Sequence, residues 1–108
     1  MLVRNLAELR SAGIEDAAHH AAAFLAGARV DAVWLHIDAD CLDDDVMPAV
    51  DWRDPGGMTA DELTHLSRLL LKTGLVVGMD VTIYNPGLDT SELTAGRLLT
   101  DIIGRVLR

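Results

Sequence analysis

Hydrophobic positions along the chain divide it into six segments. Leu2, Leu6 and Leu9 stand at helical spacing, but over too short a span to separate a helix from a strand, and Gly13 breaks the segment. Residues 14–26 are Ala-rich, with Ala17, Ala21 and Leu25 four apart and Gly27 at the end, which predicts a helix. The apolar run at residues 32–37 (AVWLHI) is too short for a buried helix and reads as a buried strand. An acidic stretch with Pro and Gly follows over residues 38–57, with the pattern of a loop. Thr59 and Glu62 have capping-box spacing and open a helix whose inner stripe is Leu63, Leu66 and Leu70, with Gly74 as its stop. Residues 75–81 (LVVGMDV) read as a second buried strand. Asp89 with Glu92 is the predicted cap of a last helix with a broad face of Leu98, Leu99, Ile102, Ile103 and Val106.

Helix, strand, helix, strand, helix is the order of an α/β domain: a parallel sheet with flanking helices. The two strands should be neighbours, joined through the helix that Thr59 opens. Two strands buried on both faces leave open edges, so self-association or a covering chain is expected, with the wide face of the last helix as docking element.

Composition sharpens this picture. The 108 residues allow one domain. Half of them are hydrophobic and the mean hydropathy is +0.23, an apolar balance that again favours a covered surface. With 17 acidic against 9 basic residues the net charge is −8, and aromatics are 4%, which argues against nucleic acid as a partner. No apolar run is long enough to span a bilayer, the charged N-terminal stretch does not read as a signal peptide, and the lone Cys41 fits a reducing compartment; the cytoplasm is the expected location.

The chemistry concentrates after the first strand, in Trp34-Leu-His-Ile-Asp38-Ala-Asp40-Cys-Leu-Asp43. Carboxylates at i and i+2 of an extended chain share a face about 6.6 Å apart, which suits oxygen ligands reaching toward one metal centre. Seven Asp residues (38, 40, 43, 44, 45, 51 and 54) fall within seventeen positions, answered only by Arg53. A divalent cation would relieve that repulsion, whereas the plain alternative is a solvated acidic loop. An EF-hand is a poor fit, because the sixth position of the loop is not Gly.

Pro48-Ala49, Gly56-Gly57-Met58-Thr59, Lys72-Thr73-Gly74, Gly78-Met79-Asp80-Val81 and Tyr84-Asn85-Pro86 then follow in order. This ordered set resembles the arginase and agmatinase (ureohydrolase) family, from about Ala32 to the C-terminus. The resemblance implies the C-terminal segment of a three-layer α/β/α hydrolase fold, with residues 1–108 as a partial domain. It also implies Asp38 and Asp40 as ligands of two Mn²⁺ ions, which would activate water against the carbon of a small guanidine or amidine substrate. The family's other His and Asp ligands find no match, so the isolated chain is expected to be inactive. His19, His20 and His65 read as surface residues on helices. His36 shares side-chain parity with Asp38 and Asp40, which suits either a supporting role behind the metal or a core histidine.

Two departures stand out. Ile83 occupies the place of the family's guanidinium-gripping Glu, and an aliphatic side chain cannot pair with a cation. Asp51-Trp52 replaces a small segment near the substrate. Asp51, Asp54, Asp89 and Asn85 are the substrate-side candidates, and Cys41 reads as a small buried residue. Two other readings fit parts of the pattern. A haloacid-dehalogenase-type phosphotransferase would use the first Asp as nucleophile, and a non-catalytic arginase-like scaffold would need no complete site.

Overall fold

The computed structural model describes residues 1–108 as four helices and two strands. Helix α1 (Leu6–Ala12) and α2 (Ile14–Gly27) precede β1 (Val33–Asp38), which runs into a 3-10 turn at Ala39–Cys41. After a long loop come α3 (Ala60–Leu71), β2 (Val76–Thr82), a 3-10 turn at Pro86–Leu88 and α4 (Thr94–Leu107). The ambiguous first segment is a helix because Asn5 and Glu8 close a reciprocal capping box: Glu8 N–H donates to Asn5 Oδ1 and Asn5 N–H to Glu8 Oε2. Thr59 and Glu62 cap α3 in the same way. No helix is long and apolar enough to cross a membrane.

Strands β1 and β2 pair in parallel, with α3 as the connection, as the element order predicts. The register sets Trp34 against Gly78, His36 against Asp80 and Asp38 against Thr82. Leu35, Ile37, Met79 and Val81 meet the core, whereas Trp34, His36 and Asp38 lie on the opposite, exposed face. The expectation of strands buried on both faces is therefore corrected. AVWLHI alternates in burial, with Trp34 61% exposed, because its polar and indole groups occupy every second position.

The acidic loop is not simply solvated. Leu42, Met47, Ala49 and Val50 are each at most 3% exposed and belong to the main apolar cluster with Ile37, Leu63 and the α4 residues Leu99, Ile102 and Val106. A short bridge secures it, with Met58 N–H donating to Cys41 O and Asp43 N–H to Met58 O. The approach requires glycine next door: a Cβ on Gly57 would fall 2.6 Å from the Asp43 nitrogen.

The apolar face of α4 is used within the chain, with Leu98 and Ile103 also packed against the cluster, so it is not the free docking element expected from its width. Its cap differs as well. Glu92 is exposed and takes no part, while Leu93 holds the cap position in the left-handed region without a side-chain bond. The capping group is Asp89, whose carboxylate accepts from Ala95 N–H (3.0 Å), Gly96 N–H (2.9 Å), Thr90 N–H (2.8 Å) and the Tyr84 hydroxyl (2.9 Å).

Burial pushes the Asp89 carboxyl up, but these four donors outweigh it and hold the group at about 2. A value below the unfolded one stabilises the fold above about pH 4, and that contribution is lost as pH falls toward about 2. Asp89→Asn should lower the melting temperature at pH 7 and flatten the acid limb of a stability-versus-pH curve. An unchanged limb would show that the cap contributes nothing.

Candidate metal centre at the end of β1

Asp38 is the last residue of β1, and Asp40 lies two residues on in the 3-10 turn. Both carboxylates are exposed. Asp38 Oδ1 accepts from the Thr82 hydroxyl across the strand pair (2.5 Å) and from His36 Nε2 (2.9 Å), and its second oxygen takes no hydrogen bond. His36 Nδ1 in turn lies 3.0 and 3.2 Å from the two Asp80 oxygens, and Asp80 also accepts from Trp34 Nε1 at 2.8 Å. Ionised carboxylates only accept, so both ring nitrogens of His36 donate. Its pKa is raised, chiefly by the bond to Asp80 and then by Asp38, against the opposing effect of burial. Asp38 is lowered by the Thr82 hydroxyl first and His36 next, and Asp80 by the Trp34 indole and then His36.

Asp40 makes no hydrogen bond. It lines a cavity of about 410 Å³ with Arg4, Cys41, Asp54, Met58 and Leu66. A separate cavity of about 310 Å³ between β1 and α3 is bordered by residues 35–38, and Cys41 borders both cavities. Burial pushes the Cys41 thiol up to about 11, with the charges of Asp40 and Asp38 adding to it, so the thiolate is suppressed and the residue is no nucleophile.

The remaining sequence candidates separate. Asp51 accepts from Asn85 Nδ2 at 2.8 Å, which ties the acidic loop to the turn after β2. Asn85 N–H also donates to Ala49 O, so the pair holds backbone together. Asp54 has no hydrogen-bond partner and faces the same cavity as Asp40. His20 pairs with Asp16 and His65 with Glu15 on helix surfaces, away from β1. Three carboxylates, Asp43, Asp44 and Asp45, lie within 4.8 Å of one another. Asp43 is committed to the Asp45 and Gly56 N–H groups and Asp44 to Arg53, which makes them the closure of the loop. Two exposed carboxylates at one strand end, one with an uncommitted oxygen, fit a hard divalent cation as part of a donor set. No group of three ligands forms around them.

The residues that support Asp38 were only partly legible. His36 was, from parity; Thr82, Asp80 and Trp34 needed the strand register, which a sequence of two strands does not specify.

A sequence profile of the arginase family matches residues 1–107. The arginase of Agrobacterium fabrum is 41% identical over 70 residues, 63% of this chain and 21% of that protein. The N(1)-aminopropylagmatine ureohydrolase of Thermus thermophilus is 34% identical over 73 residues, 67% of this chain and 25% of that protein. In structure, the chain superposes on arginase from Bacillus subtilis with a TM-score of 0.87 at 23% identity, covering 99% of this chain and 37% of that one. Formiminoglutamase from Trypanosoma cruzi, solved with Mn²⁺, gives 0.77 at 26% identity over 94% of this chain and 32% of that one. The chain spans about a fifth to a quarter of the length of the curated relatives it matches.

Ile83 follows β2 with φ +77° and is 44% exposed. A β-branched residue in the left-handed region is strained, and this side chain gains little from burial to offset it. Ile83→Gly should therefore raise stability by about 1 kcal/mol in denaturant unfolding, the strain relieved exceeding the added unfolded-state freedom of glycine. A destabilised variant would mean that the Ile83 side chain contributes packing that its exposure conceals.

Proposed function

The chain belongs to the arginase family, and from that premise we propose that it carries part of a binuclear Mn²⁺ ureohydrolase site, with Asp38 and Asp40 as its metal ligands. The observation that supports this most is the Asp-x-Asp pair leaving the C-terminal end of β1 within this fold, with one Asp38 oxygen uncommitted. Bound manganese would supply a Lewis acid and a more acidic water for hydrolysis of a guanidine- or amidine-type C–N bond. The chain's own contribution is to hold the two carboxylates and to exclude a competing thiolate at Cys41.

A pair of carboxylates is fewer oxygen ligands than a hard cation collects, so the 108-residue chain by itself is read as inactive and weakly metal-binding. The substrate side is reassigned. Ile83 cannot grip a guanidinium, Asp51 is engaged by Asn85 and Asp89 caps α4. Asp54, unbonded beside Asp40, is the remaining acid for a cationic small molecule. A cytoplasmic setting belongs to the same reading, on the single unreactive Cys41. The phosphotransferase alternative falls with the family match. A non-catalytic arginase-like scaffold is the second reading, favoured by Ile83.

Calorimetric titration with MnCl₂ should give weak binding that Asp38→Asn and Asp40→Asn each remove, and the purified chain should release no urea from arginine. Tight binding indifferent to Asp38→Asn would overturn the ligand assignment, and urea release would overturn the reading of an incomplete site. The open edges of the two-stranded sheet lead us to expect self-association. Sedimentation at micromolar concentration should show species larger than 11.6 kDa, and a well-behaved monomer would refute it.

A further inference from the structure

The exposed face of the sheet carries a polar ladder that links three consecutive cross-strand pairs. Trp34 lies flat over Gly78, where an added Cβ would fall 2.2 Å from the indole ring. The indole nitrogen donates to Asp80, Asp80 accepts from His36 Nδ1, His36 Nε2 donates to Asp38 Oδ1, and Thr82 donates to that same oxygen. Each link joins residues that the register places opposite one another, diagonally across the strands, or two apart along one strand. A ladder built only to satisfy an exposed sheet face would gain little, since water serves those groups equally well. What it does accomplish is asymmetric: both donors reach one Asp38 oxygen and neither reaches the other.

From this geometry we infer that His36 and Thr82 are positioning residues, locking Asp38 in one rotamer with Oδ1 occupied and Oδ2 presented outward for a cation. Asp80 and Trp34 orient the His36 ring from behind. The inference rests on the assignment of Asp38 as a metal ligand, and deepens it by stating how that ligand is held. Groups that hold a ligand's second atom commonly change metal affinity by about 10- to 100-fold when removed. Without these bonds Asp38 would be free to change χ1 and would have to be ordered at the moment of binding.

Two measurements on the full chain separate the inference from the reading beneath it. Without metal, three-bond side-chain couplings of Asp38 should report a single χ1 rotamer in the wild type. Averaging is expected in His36→Leu and Thr82→Val, while Thr82→Ser, which keeps the hydroxyl, should restore the single rotamer. Averaged couplings in the wild type, or couplings unmoved by both deletions, would overturn the inference whatever the metal does. With Mn²⁺ alone as probe, followed by the free-ion paramagnetic resonance signal, His36→Leu and Thr82→Val should weaken binding about 10-fold. His36→Gln, which keeps a donor toward Asp38, should stay within about 3-fold by the same principle. Loss of thermal stability with unchanged Mn²⁺ affinity would make the ladder purely structural and overturn the inference. Indifference to Asp38→Asn would sink the ligand assignment itself. Should His36→Leu fail to fold, Trp34→Phe removes only the distant indole donor, and a loosened His36 ring with partial Asp38 averaging is the expected result.

Discussion

Parallel pairing of β1 with β2 obliges the chain to leave the sheet at Asp38 and to return, travelling the same way, at Val76. Everything between has to be stored against one face, and the apolar cluster shows how. Leu42, Met47, Ala49 and Val50 join Ile37 in one buried cluster, to which α3 adds Leu63 and α4 adds Leu99, Ile102 and Val106. Within these 108 residues no element packs on the opposite face. Its Trp34, His36 and Asp80 satisfy one another laterally instead. The site at the strand end is thus built between a packed side, which fixes where the backbone turns, and a wet side, which fixes how Asp38 is held.

Much of this order is visible in the residues themselves, and the exceptions have physical causes. The Thr59 and Glu62 capping box can be read directly because local spacing decides it, and the parallel strand pair follows from the strand, helix, strand order. The same spacing in Asn5-x-x-Glu8 resolves the first helix, although the leucine pattern there is too short to do so. The acidic segment misleads because charge is easier to count than burial. Interleaved with its aspartates are the four apolar side chains that the core takes up. Asp89 reaches past Glu92 to cap α4 through a loop whose left-handed Leu93 no pattern announces.

The site divides along similar lines. Asp38 and Asp40 stand out in the sequence because paired acids after an apolar run need an explanation. The division of labour among Asp51, Asp54 and Asp89 is not, because it depends on which of them finds a local donor. Asn85 and the first turn of α4 take two of the three. Ile83 is legible as a departure in type, whereas its backbone conformation is not, since nothing in a side chain so ill suited to positive φ would suggest it.

The Asp40 carboxylate lies outside every side-chain hydrogen bond and outside the apolar cluster, two residues from the ladder that orders its neighbour. Replacing it removes no packing and breaks no bond, so selection for a stable fold is blind to that position. Leu42 and Met47, a few residues on, are under the opposite pressure, since truncating either would leave a cavity in the core. A descendant could therefore lose this carboxylate by drift while retaining its shape. Under the proposed ligand role, the carboxylate itself, and not the preservation of the fold around it, is what a metal-binding descendant would have to keep.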